Sequence, residues 1–306
     1  MNVKKNILET VGSTPIVAIT KLNKGQANIF AKVEFFNPGG SAKDRVGIAM
    51  IEDAEKRGLL APDALIVEPT SGNTGVGLAI AAAVKGYKLI LTMPDTMSIE
   101  RRKLLKAYGA ELVLTPGAEG MQGAVAEAQA ILKKHPGSFM PQQFANPANA
   151  AAHENSTAPE IWNDLDGKVD VFVAGVGTGG TLTGTVRYLK KRNPDLVAVA
   201  VEPLSSPLLS GGKAGAHQLQ GIGANFIPEV LDTTLIDKIV PVSNEDARSA
   251  ARLAASEEGI LVGISSGAAL HAALELSTLP EFADKNIVVL LPDTGERYLS
   301  GYLFEE

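Results

Sequence analysis

Short apolar runs alternate with segments of helical periodicity along most of this chain. The apolar runs are mostly continuous rather than strictly alternating with polar residues, which favours strands buried on both faces of a parallel sheet. They occur at 28–36, 64–68, 88–93, 111–115, 169–175, 196–202, 238–242 and 286–291. The first well-defined helical pattern runs from Ala42 to Arg57 and ends at Gly58. This alternation predicts an α/β protein whose parallel sheets carry helices on both faces.

The length of 306 residues suggests two domains of ordinary size or one large α/β unit. The stretch FANPANAAAHENSTAP is the best candidate for a seam, so we expect an N-terminal domain at 1–147 and a C-terminal domain at 148–306. The segment 203–228 shows no clear periodicity and is rich in Gly, Ser and Pro. A loop of that length inside a compact domain is usually functional or mobile.

Composition excludes several classes of function. The net charge of −6 gives no reason to expect binding to nucleic acid or to an anionic membrane. The chain has no cysteine, which excludes disulfides, thiolate metal sites and a cysteine nucleophile. No apolar run is long enough for a membrane helix, and the first ten residues do not resemble a signal peptide, so we expect a cytoplasmic globular protein.

The stretch VAGVGTGGTLTG is a glycine-rich turn between a predicted strand and a predicted helix. Backbone N–H groups at such a helix start bind anions. The residues expected to surround a phosphate are Gly177, Thr178, Gly179, Gly180 and Thr181. The turn also matches G-x-G-x-x-G, and Glu202 ends the next strand, so a dinucleotide-dependent dehydrogenase is an alternative. A second alternative is that these glycines serve only close packing of helix and strand.

Two further turns carry polar residues at a predicted helix start. The stretch EPTSGNTG contains Thr70, Ser71, Asn73 and Thr74, which suit a carboxylate ligand but are also common helix-capping residues. In GISSGAAL, Ser266 is either a further N-cap or a hydroxyl directed at a ligand.

Lys43 lies in the stretch NPGGSAKDR at the start of the first helix. Ser41 and Asp44 match a capping box, which predicts Ser41 as the N-cap and Lys43 in the first turn. The partial positive charge there disfavours an ammonium group and favours a neutral, nucleophilic amine. A solvated surface lysine is the alternative. An amine, a phosphate site and a carboxylate site in one α/β protein suggest pyridoxal 5'-phosphate (PLP) holding an amino acid.

With these motifs, the chain resembles the cysteine synthases (O-acetylserine sulfhydrylases) of the PLP-dependent fold-type II group over almost its whole length. The resemblance rests on several motifs in the family's order and spacing: NPGGSAKDR, PTSGNTG, MPDTMSIERRKLLKAYGA, GVGTGGTLTG, QGIGANFIP, GISSGAA and GERYLSGYLF. It implies two open, mostly parallel twisted sheets covered by helices, with the active site between the domains. It also implies that roughly residues 12–36 cross into the other domain.

The resemblance further implies a role for each matched residue. Lys43 would hold PLP as a Schiff base, Asn73 would contact its 3-hydroxyl oxygen, and Ser266 would face its pyridine nitrogen. Gly177 through Thr181 would surround the phosphate. The substrate carboxylate would be held by Thr70, Ser71, Thr74 and Gln143, and the substrate mouth would be lined by Gly221 and Gly223.

The implied reaction is β-replacement, in which O-acetylserine loses acetate, an α-aminoacrylate forms, and sulfide adds to give L-cysteine. Relatives with nearly the same motifs use homocysteine as the thiol, so a cystathionine β-synthase using O-acetylserine or serine is the main alternative. An NAD-dependent oxidoreductase and a non-catalytic binding protein with the same fold are more distant ones. The resemblance also implies a homodimer and a complex with the C-terminal peptide of serine acetyltransferase.

Overall fold

The computed structural model describes residues 3–305, and these form an α/β fold. The strands are β1 (Ile16–Ile19), β2 (Asn28–Val33), β3 (Leu65–Pro69), β4 (Lys88–Pro94), β5 (Glu111–Thr115), β6 (Val171–Gly175), β7 (Val197–Pro203), β8 (Lys238–Val242) and β9 (Asn286–Leu291). The helices are α1 (Lys43–Lys56), α2 (Asn73–Lys85), α3 (Ile99–Ala107), α4 (Gly120–Lys134), α5 (Pro147–Ala152), α6 (Ala158–Asp164), α7 (Gly180–Lys190), α8 (Asn244–Glu258) and α9 (Ile264–Ser277).

The chain divides into two compact units. The first holds the chain up to Val11 together with Asn37–Asn149. The second holds Gly12–Phe36 together with the chain from Ala150 onwards. Each unit has a sheet of its own, so each builds its own core.

The first unit is built on the parallel sheet β3-β4-β5. Ile66 of β3 belongs to the apolar cluster that α1 and α2 form on one face of this sheet. The next residue, Val67, packs with Ala128 and Ile131 of α4 on the other face. Because successive strand residues point to opposite faces, a continuous apolar run is what a sheet covered on both sides requires.

Helices α1 and α2 approach each other backbone to backbone. A Cβ at Gly47 would overlap the backbone of Gly77, and a Cβ at Gly77 would overlap the carbonyl group of Lys43. Glycine at both positions therefore permits a separation that any side chain would prevent. The contact holds Lys43, at the first turn of α1, against a residue one turn into α2.

The second unit contains a sheet with strand order β1-β2-β9-β6-β7-β8. The pair β1 and β2 is antiparallel, whereas the remaining neighbours are parallel. Helices α8 and α9 contribute to the apolar cluster on one face, and α6 and α7 to the cluster on the other. The fold is therefore the α/β arrangement of mostly parallel sheets that the sequence predicts.

The N-terminal part of this sheet differs from the sequence prediction in two ways. The edge strand β1 is absent from the predicted set, because four residues are too few for a periodic signal. The predicted strand at 28–36 stops at Val33, and Glu34 begins a short 3₁₀ turn. Glu34 is buried there and accepts a hydrogen bond from the Thr14 hydroxyl at 2.6 Å. A polar contact formed across 20 residues ends this strand, and local propensity cannot reveal it.

The long loop after β7 is confirmed, since no helix or strand of the described residues lies between Pro203 and Thr233. Two side-chain contacts lie within the loop. The Ser206 hydroxyl donates to Asn225 Oδ1 at 2.8 Å, and a ring nitrogen of His217 lies 2.8 Å from the Gly223 carbonyl oxygen. Within residues 3–305, no helix has the length and apolar character needed to span a membrane.

Candidate active site

Lys43 is the first residue of α1, and Ala42 is its N-cap. The predicted capping box is therefore wrong in detail. The Ser41 hydroxyl accepts a hydrogen bond from the Lys43 backbone N–H at 3.2 Å, while the Asp44 carboxylate accepts from the Gly39 N–H at 2.5 Å. Asp44 reaches back to the Gly-Gly turn rather than to Ser41, which shifts the helix start by one residue. Lys43 remains in the first turn and is partly buried.

No side chain of the turn before α2 forms a capping hydrogen bond to that helix. Its N-cap is Gly72, which has no side chain to donate or accept. The Thr70 hydroxyl accepts a 3.3 Å hydrogen bond from the Gly72 N–H. Thr70 and Thr74 are buried, whereas Ser71 and Asn73 are partly exposed. The capping alternative therefore does not account for this group of polar residues.

Gln143 joins this group although it lies 69 residues further along the chain than Thr74. The Thr74 hydroxyl donates to Gln143 Oε1 at 2.5 Å, and the Gln143 carbonyl oxygen accepts from Asn149 Nδ2 at 2.7 Å. With its oxygen occupied, the Gln143 amide directs its NH₂ group elsewhere, and an NH₂ group is a donor suited to a carboxylate.

Glu68 fixes the backbone of the same segment. Its carboxylate accepts hydrogen bonds from the N–H groups of Gln142 at 2.9 Å and Gln143 at 3.0 Å. Burial raises the pKa of Glu68 to about 7, and the two backbone hydrogen bonds oppose that shift. Nothing in the local sequence marks Glu68 for a role, since it is only the last, polar residue of a predicted strand.

The glycine-rich turn lies between β6 and α7. A Cβ at Gly177 would overlap the carbonyl oxygen of Gly221, and Gly179 is the N-cap of α7 with a φ of +84°. Both positions therefore require glycine for steric reasons. The Thr178 hydroxyl accepts from the Gly180 N–H at 3.4 Å, which folds the turn over the start of the helix. The turn thus combines close packing of backbone against backbone with a helix start of the kind that binds anions.

His153 supports this turn, a role that the sequence does not predict. It begins a π-helical turn, His153–Thr157, that connects α5 to α6. Its ring is buried, with Nδ1 2.9 Å from Thr157 Oγ1 and Nε2 3.2 Å from Thr181 Oγ1. π-Helical turns are often found at functional sites, but nothing in the local sequence marks this one.

Glu202 does not act as the ribose-binding acid of a dinucleotide site. Its carboxylate accepts hydrogen bonds from the backbone N–H groups of Leu209 at 2.8 Å and Ser210 at 3.0 Å, and from the Ser210 hydroxyl at 2.6 Å. Glu202 therefore anchors the loop that follows β7. This contact removes one of the two features that supported the dehydrogenase alternative.

Ser266 is not an N-cap. Helix α9 begins at Ile264 after the N-cap Gly263, which places Ser266 inside the first turn. The Ser266 side chain is fully buried, and its Oγ has no hydrogen-bond partner among residues 3–305. A buried hydroxyl without a partner is costly, so its presence at a helix start points to a ligand.

Gly221 and Gly223 have positive φ angles of +98° and +66°. Gly221 lies against the Ser265 hydroxyl and Gly177, and the Gly223 N–H donates to the Val176 carbonyl oxygen at 3.0 Å. The second unit thus groups the glycine-rich turn, these two glycines and the start of α9. The first unit groups Lys43, the turn before α2 and Gln143.

No cluster of three or more His, Cys, Asp or Glu side chains suited to a metal ion occurs in the described part of the chain.

A family model described as pyridoxal-phosphate dependent enzyme matches residues 7–293. Cysteine synthase A of Escherichia coli (strain K12) is 57% identical over 306 residues, covering 97% of this chain and 94% of that protein. A cysteine synthase of Staphylococcus aureus (strain N315) is 53% identical over 302 residues, covering 98% and 96%.

A solved structure of a cysteine synthase is also similar to this chain. The crystal structure of a cysteine synthase from Entamoeba histolytica has a TM-score of 0.96 and 45% sequence identity, covering 99% of this chain and 91% of that one. The chain belongs to the family of pyridoxal-phosphate dependent enzymes, with the fold of the cysteine synthases.

Proposed function

We propose that this protein is a transferase that makes L-cysteine from O-acetylserine and sulfide by PLP-dependent β-replacement. The observation that carries the proposal is the 57% identity to a cysteine synthase over 97% of the chain. The geometry within each unit agrees with this function, since one unit offers an amine with a carboxylate site and the other offers a phosphate site with a buried hydroxyl.

The residues of the second unit fit PLP. The turn at 177–181 has no room for side chains at Gly177 or Gly179, and it presents backbone N–H groups and two threonine hydroxyls, as a phosphate requires. The unpartnered hydroxyl of Ser266 is a suitable contact for the pyridine nitrogen. In the first unit, Lys43 would hold the cofactor covalently and Asn73 would contact its 3-hydroxyl oxygen.

PLP, when bound to the amino group of a substrate, withdraws electrons from the α-carbon and so weakens the bond to the α-proton. The Lys43 amine, freed when the substrate amine takes its place, would remove this proton as acetate leaves the β-carbon, and it would return a proton to the α-carbon after sulfide has added to the β-carbon. Thr70, Ser71, Thr74 and Gln143 hold the α-carboxylate, so that the α-proton faces the lysine. A serine hydroxyl, unlike an aspartate, does not stabilise a protonated pyridine nitrogen. Ser266 therefore limits electron withdrawal and disfavours transamination.

The loop 203–228 supports sulfide rather than homocysteine as the acceptor. Homocysteine carries a second amino and carboxylate pair, which would need polar partners when buried. Two of the polar side chains in this loop are already engaged within it, since His217 contacts Gly223 and Asn225 contacts Ser206. Lys213 is exposed. Sulfide needs only access to the reacting carbon.

The test is to purify the protein, record its absorption spectrum and supply O-acetylserine with either thiol. A yellow protein that forms cysteine with a higher kcat/KM than cystathionine is the expected result. A higher kcat/KM for cystathionine would favour the homocysteine-dependent alternative. A colourless protein that fails to take up PLP but binds NAD would overturn the proposal.

The family resemblance also supports finer proposals. The enzyme would act as a cytoplasmic homodimer and would bind the C-terminal peptide of serine acetyltransferase. Size-exclusion chromatography with light scattering tests the dimer, and titration with that peptide tests the partner.

A further inference from the structure

Glu68 lies directly before the turn that leads into α2, and it is 1% exposed. On its strand, β3, it shares a face with Ile66, which packs against α1 and α2. Its two carboxylate oxygens accept from two successive backbone N–H groups, those of Gln142 and Gln143. A single buried carboxylate thus links the strand that ends before Thr70 to the segment that carries Gln143.

No cation within residues 3–305 forms an ion pair with Glu68. The causes that act on its pKa are burial and the two backbone hydrogen bonds. Beside β3, the ionisable side chains are Lys88 on β4 and Glu127, Lys133 and Lys134 on α4. The two helices that pack against Ile66 add Lys85 on α2 and, on α1, Lys43, Asp44, Arg45, Glu52, Asp53, Glu55 and Lys56. Lys85 is paired with Glu55 at 2.9 Å. The backbone N–H groups are therefore what stabilise the ionised form of Glu68.

The segment that Glu68 holds has an unusual conformation. Gln142 has a φ of +56°, in the left-handed region that non-glycine residues rarely adopt. Its carbonyl oxygen accepts from the N–H groups of Ala145 and Asn146, both at 2.9 Å. Such a conformation persists only where surrounding contacts enforce it. Glu68 and Asn149 supply these contacts on either side of Gln143, and the Gln143 side chain then meets Thr74.

We propose that Glu68 is a positioning residue for the substrate α-carboxylate, and that it acts through Gln143. This inference rests on the proposed function, in which Gln143 and Thr74 contact that carboxylate. An ionised carboxylate offers a strong acceptor oxygen to each of the two N–H groups at once, whereas protonation turns one of these oxygens into a hydroxyl, which is a weaker acceptor. A neutral amide at the same position has one acceptor oxygen and turns its NH₂ group toward the second N–H. Glu68→Gln should therefore loosen the turn and misdirect the Gln143 side chain.

The decisive experiment compares two ligands of the PLP-loaded protein. L-Alanine and ethylamine both present an amino group, and they differ by the carboxylate. Binding of each is followed at about pH 8.5, above the pKa of Glu68, by the change in cofactor absorption, for the wild-type protein and for Glu68→Gln. We expect the affinity for L-alanine to fall by about five- to tenfold in the variant, with no comparable fall for ethylamine. A purely structural role for Glu68 would leave the ratio of the two affinities unchanged.

Two further variants test the route of this effect. In a Gln143→Ala background, Glu68→Gln should cause little additional loss of L-alanine affinity, because the side chain through which it acts is gone. Glu202→Gln is the matched control, since Glu202 is also a buried strand-end glutamate that accepts from two backbone N–H groups. It should not change the ratio of the L-alanine and ethylamine affinities. Fully additive effects of Glu68→Gln and Gln143→Ala would overturn the inference.

A measurement on the wild-type protein covers the case in which Glu68→Gln does not fold. The ¹⁵N shifts of the Gln142 and Gln143 amides should titrate together with a midpoint near the pKa of Glu68, which is about 7. Amide shifts that do not change across that range would contradict the inference.

If the wild-type protein forms no cysteine from O-acetylserine and sulfide, the proposed function itself fails. If it forms cysteine and the ligand ratio is unchanged in Glu68→Gln, only this inference fails.

Discussion

The buried ring of His153 lies against the Thr181 hydroxyl, with 3.2 Å between Nε2 and Oγ1. The same ring contacts Thr157 through Nδ1, so the π-helical turn and the first turn of α7 share one imidazole. We expect His153→Ala to weaken PLP binding by about five- to tenfold, since Thr181 loses a fixed partner. Reconstitution of the apoprotein with PLP measures this. The exposed His135 provides the control, and equal losses in both variants would contradict the role of His153.

Ser266→Ala should have opposite effects on the apoprotein and the PLP-bound protein. In the apoprotein it removes a buried hydroxyl that has no partner among the described residues, so the free energy of unfolding should rise by about 1 kcal/mol. If Ser266 contacts bound PLP as we propose, the substitution removes that contact, and the stabilisation by PLP should shrink. Urea unfolding of both forms measures this. Ser277→Ala, which loses a hydrogen bond to Leu274 on the same helix, should destabilise both forms alike.

Gly177→Ala should lower the cofactor content of the purified protein. The added Cβ would overlap the carbonyl oxygen of Gly221, and two backbones cannot both keep their positions. The turn must therefore move, which spoils the alignment of its N–H groups with a phosphate. Gly301→Ala is the control, because its Cβ would meet only the Tyr298 carbonyl oxygen at 3.5 Å. Normal PLP content in Gly177→Ala would argue against a phosphate site at this turn.

The stability of the protein should fall as pH rises toward neutrality, in part because of Glu68. The pKa of Glu68 is about 7 in the folded protein, whereas the ordinary value for a glutamate, which applies to the unfolded chain, is 4.5. The folded protein therefore holds this proton more tightly than the unfolded chain does. Glu68 therefore contributes its full stability below about pH 4.5 and loses it by about pH 7, a change of about 3 kcal/mol. The difference in unfolding free energy between the wild-type protein and Glu68→Gln should change by that order between pH 5 and pH 8. A pH-independent difference would show that the pKa is not raised.

Lys43→Ala should fold normally and still bind PLP through the turn at 177–181, but without a covalent bond. Borohydride should then link no cofactor to the chain, and cysteine formation should be lost. Mass spectrometry of the reduced protein measures the first effect. Lys56→Ala, at the exposed end of the same helix, should behave as the wild-type protein does. Cysteine formation at the wild-type rate in Lys43→Ala would refute the assignment.

Much of the candidate site could be predicted from the sequence, because its parts are local. The turns before α2, α7 and α9 each consist of consecutive residues whose glycines and hydroxyls follow a strand or precede a helix. Burial on both faces imposes continuous apolar runs, which identified most strands. What the sequence left open was the role of each polar residue. Ser266 could be a cap or a ligand contact, and the choice depended on whether the helix began at Ser266 or before it.

The tertiary structure decided which distant residues meet. The pairs Glu68 with Gln143, Thr74 with Gln143, and His153 with Thr181 are separated by 75, 69 and 28 residues. No local pattern records such contacts, since they arise only when separate strands and helices pack around a common core. The same packing placed Glu202 on the loop after β7 rather than beside a nucleotide. The sequence determined the local turns, and packing determined which side chains support them, because burial and hydrogen bonding act between residues that are close in space.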